Sequence, residues 1–100
     1  MSESMSRPSS NVFRALGFRP AEAASLAVRS RLMLVLREHI RRQGWTQAKA
    51  AKVMGVTQPR VSNLVHGRID RFSVDSLIGL LLTCGLHVHI TVRRARRRTA

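Results

Sequence analysis

Gln58, Arg60, Ser62 and Asn63 place two amides, a guanidinium and a hydroxyl within one short stretch of chain. An amide both donates and accepts, so Gln or Asn can bond bidentately to the edge of adenine, worth about 1–3 kcal/mol of discrimination against the wrong base. Arginine and serine serve phosphate or base oxygens. Such a set recognises a surface of donors and acceptors and transfers nothing. No competing catalytic set stands beside it. Ser62 and Ser73 have no His–Asp partners in any recognisable motif, and the chain has no phosphate-binding Gly loop. Cys84, His87 and His89 could together approach a metal, but structural zinc takes four ligands and no second cluster completes the set. The histidines are expected on a solvated face, and Cys84, among apolar neighbours, as a buried inert thiol. Neither an enzyme nor a cofactor site is expected.

For the polar set to face outward together, a short helix must carry it and a second element must hold that helix at an angle. Thr57 is a suitable N-cap for a helix from Gln58 to about Val65, Pro59 sits in its first turn where the missing N–H costs nothing, and His66-Gly67 closes it. His66 is expected to meet the last carbonyls. Before it, Thr46 caps a helix over residues 47–53 that Gly55 ends by allowing a left-handed turn. Ala51 is small enough for close approach, and Val56, Val61 and Leu64 are expected to face inward. Residues 46–66 thus have the layout of a helix-turn-helix. Trp45 is expected in the core or as a staple.

Three further elements frame this motif. A long helix over residues 21–43, stopped by Gly44, shows an apolar stripe of Leu32, Val35, Leu36, His39 and Ile40. Arg29, Arg31, Arg37, Arg41 and Arg42 fall outside the stripe and are expected in solvent. Asn11 can cap a short turn through Phe13 and Leu16, closed by Gly17. Downstream, Ser73 caps a helix over residues 74–84, with Asp75 near the positive end of its dipole and Phe72 and Leu77 placed as a hydrophobic staple. After Gly85 the period changes to two: Leu86, Val88, Ile90 and Val92 alternate with His87, His89, Thr91 and Arg93. That pattern predicts a strand over residues 86–92, which must pair with its own copy or another protein because the chain offers no second strand. Residues 1–10, rich in Ser, read as a disordered lead-in, and residues 93–100 as a basic tail that either meets phosphate or aids solubility.

Composition limits the alternatives. One hundred residues allow one domain, and a formal charge of +13 points to a polyanion. Four aromatic residues are too few for a binder that stacks successive bases on rings. One cysteine excludes an internal disulfide, and the first residues lack the apolar stretch of a leader. Residues 74–92, the longest apolar region, are broken by Asp75, Gly79, Gly85, His87 and His89, so no membrane span is expected. A soluble, cytoplasmic protein is the expectation. The charge is uneven: residues 29–52 hold seven bases and one acid, whereas residues 53–75 hold three bases and two acids.

Thr46-Gln47 with Ala51, then Gly55-Val56-Thr57-Gln58, then Val61-Ser62-x-Leu64 resemble the signature of the phage-repressor-like (Cro and XRE) helix-turn-helix family. Asn11 to Gly17, Gln58-Pro59-Arg60-Val61-Ser62, Phe72 to Leu77 and the segment after Gly85 are similar to a subgroup, the HigA-type antitoxins that neutralise an mRNA-cleaving toxin. The likeness spans about residues 11–93. It implies an all-α, lambda-repressor-like bundle of about five helices with a C-terminal β-strand used in dimerisation, a domain over residues 11–92. It implies DNA binding through residues 47–68: Gln47 on a phosphate, Gln58 and Asn63 on base edges, Arg60 and Ser62 on backbone or base, Arg68 on a phosphate, with Thr57 and Pro59 in the same surface. Partners follow: double-stranded operator DNA, a second copy in a homodimer, and a toxin bound through the N-terminal segment or the long basic helix. Repression of its own operon is the implied function, with a stand-alone regulator as the alternative. Two departures stand out. Lys49 occupies a place where such proteins often carry Glu, which removes the reciprocal capping box, and Pro59 removes a side-chain donor.

Overall fold

A computed structural model describes residues 10–94 as five helices. These are α1 (Ser10–Ala15), α2 (Pro20–Gln43), α3 (Gln47–Met54), α4 (Gln58–Val65) and α5 (Val74–Thr83), with a 3₁₀ turn at Ile69–Arg71 between the last two. The expectations for residues 1–9 and 95–100 lie outside the described residues. Helix α1 begins one residue before Asn11, which is therefore inside it and not its cap.

Helix α2 is the spine. Pro20 fits its first turn, where no N–H is needed, and Gly44 (φ 68°) ends it in the left-handed region with its N–H donating to the Arg41 and Ile40 carbonyls. Its buried row is Ala23, Ala27, Ser30, Met33, Leu36 and Ile40. The expected stripe is therefore rotated. Leu36 and Ile40 belong to the core, but Val35 is 49% exposed and Met33 takes the inner place. Helices α3, α4 and α5 pack around this row, joined by Ala50, Ala51, Met54, Val61, Leu64, Phe72, Leu77, Leu80 and Leu81. Helix α1 packs on the start of α2 and buries no residue of its own.

The predicted strand over residues 86–92 is not formed: among the described residues there is no strand. A ladder needs a second backbone to exchange hydrogen bonds with, and one isolated chain supplies none. Half of the alternation is still expressed. Leu86 and Val88 pack against the core, whereas Ile90 and Val92 are 68% and 89% exposed. Among the described residues no helix is long and apolar enough to cross a membrane.

Candidate nucleic-acid interface

Two local devices set the motif. The Thr46 hydroxyl accepts from the Lys49 N–H at 3.1 Å and the Thr57 hydroxyl from the Arg60 N–H at 3.3 Å, each satisfying one of the amides that a helix start leaves free. As expected, Lys49 returns no acceptor to Thr46. A full reciprocal box occurs instead at α5, where Ser73 and Ser76 exchange hydroxyl and amide at 3.1 and 3.0 Å. Between α3 and α4, Gly55 adopts φ 68°, and Val56 donates to the Ala51 carbonyl at 3.0 Å. A side chain there would be forced into the left-handed region.

Packing then fixes which side of α4 faces out. Val61 and Leu64 are fully buried and Val56 partly so, as the sequence implied. Gln58, Pro59 and Thr57 are exposed, and Ser62 and Asn63 are half-buried. Gln47 is exposed at the first position of α3, and Arg68 is exposed ahead of the 3₁₀ turn. Gln58 borders an open groove of about 520 Å³ between the two motif helices, lined also by Ala48, Lys49, Ala51, Lys52 and Val56. An amide and two ammonium groups thus share one concave surface. Two amines beside a helix start would repel cations and draw anions.

Arg60 behaves differently from its neighbours. Its guanidinium lies 4.0 Å over the centre of the Phe72 ring, and Nη1 donates to the Arg71 carbonyl at 2.7 Å. It is folded back onto the 3₁₀ turn. Ser62 is tied to the helix end: its carbonyl lies 2.7 Å from His66 Nδ1 and its hydroxyl 3.3 Å. His66 thus makes the carbonyl contact expected of it.

Arg29, expected in solvent, is half-buried, and its Nη1 donates to the Ile69 and Phe72 carbonyls at 3.3 Å each. No local pattern could have shown this, since its acceptors lie 40 and 43 residues away. Trp45 packs on the core edge-on to His39, with ring centres 5.4 Å apart. Cys84 is half-buried, and burial pushes its thiol above the ordinary range. Among the described residues no group of three or more His, Cys, Asp or Glu is placed to hold a metal ion.

Two short capped helices, a left-handed glycine between them, and an inward row that turns the polar side of the second helix outward define a helix-turn-helix domain. The helix-turn-helix domain family matches this chain over residues 12–93. A solved structure whose name assigns it to the XRE family of transcriptional regulators is similar to it with a TM-score of 0.72 and 34% identity, over 79% of this chain and 89% of that chain. The chain belongs to the XRE family of helix-turn-helix proteins. No match is found among curated proteins.

Proposed function

We propose that the protein is a sequence-specific DNA-binding transcriptional regulator whose helix α4 enters the major groove. The observation that carries this is Gln58, exposed at the first turn of α4 on a groove it shares with Lys49 and Lys52. Gln58 and Asn63 read base edges. Ser62 supports them, and Gln47 and Arg68 hold phosphates that fix the register. The test compares Gln58→Ala with wild type on the protein's own promoter and on random DNA. A loss of about ten- to a hundredfold confined to the promoter is expected, since one bidentate contact is worth about 1–3 kcal/mol. Equal losses on both sequences would remove Gln58 from base reading.

Finer parts of the proposal concern partners. The protein acts as a homodimer on a pseudo-palindromic operator, with half-sites about one helical turn apart. In support, Val28 and Val35 of α2 are 46% and 49% exposed. They border a mainly apolar hollow of about 450 Å³ with Leu32, Val74, Ile78, Val88 and Ile90, which Arg31, His89 and Thr91 also line. It represses its own operon and neutralises a toxin through the N-terminal segment. Val12, Leu16 and Phe18 support that contact, being 51%, 69% and 40% exposed around a helix that buries nothing of its own. Co-purification with the product of an adjacent co-transcribed gene tests it. A lone dimer that represses fully with no such neighbour would establish a stand-alone regulator instead.

A further inference from the structure

Two arginines from different helices converge on the turn that follows α4. From α2, Arg29 donates to the carbonyls of Ile69 and Phe72; from α4, Arg60 donates to that of Arg71. Arg60 also covers the face of Phe72, whose ring is otherwise buried in the core at 3% exposure. Among the described residues neither arginine has a carboxylate within ion-pair distance; the ion pairs there are Arg41–Glu38 and Arg71–Asp70. Both charges are therefore compensated by carbonyl dipoles and, for Arg60, by the ring quadrupole. Arg29, Arg60 and Arg71 line one open cleft with Asp70, Ser73 and Ser76, and the Asp70 carboxylate there is within ion-pair distance of Arg71.

We propose that Arg29 and Arg60 are positioning residues for DNA binding: they fix the 3₁₀ turn to α2 and α4, and so set where Arg68 and Arg71 stand relative to Gln58. This inference rests on the DNA-binding function proposed above. The geometry explains why two long cations bond three backbone carbonyls, two in this short turn and one on Phe72 just after it. A 3₁₀ turn of three residues makes few bonds of its own, and this one must keep two exposed arginines at the edge of a reading helix. Arg60 then contributes through Phe72 and the Arg71 carbonyl, and its own contact with a base or phosphate is not required.

The test uses Arg60→Lys, which keeps the charge but loses the planar fork, and Phe72→Leu, which keeps an apolar core residue but removes the ring. Affinity is measured on promoter and random DNA at a temperature where circular dichroism shows every variant folded. Each single variant is expected to weaken binding to both DNAs by about tenfold. The double variant should lose little more, because both remove one device. If Phe72→Leu stays within about twofold of wild type while Arg60→Lys falls, Arg60 touches DNA directly and the inference fails. A second measurement needs no variant. In the free wild-type protein the Arg60 side-chain NMR signals should be shifted upfield by the Phe72 ring, and the shift should persist with DNA bound. Its disappearance on adding DNA overturns the inference. Failure of the DNA-binding function looks different: wild type would then bind promoter and random DNA alike, with only the salt-dependent, sequence-independent attraction that a charge of +13 gives.

Discussion

Ser30 sits where an apolar residue would serve better. It lies on the buried row of α2 between Ala27 and Met33, is 9% exposed, and its hydroxyl has no hydrogen-bond partner among the described residues. A helical serine can return its hydroxyl to the carbonyl one turn back, but this one does not. Ser30→Ala removes a buried unsatisfied group costing about 1–3 kcal/mol. Alanine also gains about 0.5 kcal/mol in helix propensity. Against this stands the void left by one oxygen, about 1 kcal/mol or less by analogy with a lost methylene. The balance is a stabilisation of about 1–2 kcal/mol, which for a domain of this size raises the melting temperature by roughly 4–8 °C per kcal/mol. Urea titration followed by circular dichroism should show a higher midpoint at unchanged slope. Protein concentration is varied so that self-association does not enter. An unchanged or lowered midpoint would refute the argument, because the hydroxyl would then be satisfied in solution.

Other expectations follow from single contacts. Thr57→Ala leaves the Arg60 amide without its cap and should cost about 1 kcal/mol in chemical denaturation, whereas Thr57→Ser should cost little. Gly55→Ala forces a side chain into the left-handed region and should destabilise by about 1 kcal/mol, read by the same titration. Glu38 is held below the ordinary carboxylate range, chiefly by its hydrogen bonds from Arg41, with Nη2 2.7 Å from Oε1. A depressed folded pKa gives stability that is present above the unfolded value and lost as pH falls through the folded one. Glu38→Gln should therefore flatten the acid limb of the stability curve, slightly and less so in high salt. The Cys84 thiol, raised by burial, should alkylate more slowly at pH 8 than in urea-unfolded protein.

What could be foreseen from residue order alone was what depends on near neighbours. Thr46, Thr57 and Ser73 cap the helices expected of them, because a cap bond spans only three residues. The staple partners Phe72 and Leu77 are both buried, and Gly44, Gly55 and Gly85 all take positive φ at helix ends. The inner face of α2 was harder. Apolar residues lie on two sides of this helix, and the stripe chosen by hydrophobicity mixes them. Leu36 and Ile40 face the core, Leu32 packs at its edge, and Val35 turns out to the hollow beside Ile78 and Val88. The true inner row is made partly of Ala23, Ala27 and Ser30, small residues that a hydrophobicity pattern underweights. Likewise the alternation after Gly85 is real, but a strand is a property of two backbones. Arg29 and Arg60 escaped for a third reason: their targets are carbonyls, which every residue carries and no sequence marks.

The position of Arg60 changes how the net charge divides the work. Seven of the eighteen Lys and Arg residues lie within residues 29–52, and α4 contains only Arg60. With that guanidinium turned back onto Phe72, the outer surface of α4 presents Gln58, Ser62 and Asn63. Uncharged groups pair with base edges without a large desolvation cost, and they distinguish adenine from its alternatives by geometry. The ammonium groups of Lys49 and Lys52 stand on the wall of the same groove, where, on the proposed function, they would favour any duplex equally. On the function proposed above, affinity and choice would reside on different helices. Replacing Lys52 should lower the salt slope and leave sequence preference intact, whereas replacing Gln58 should do the reverse.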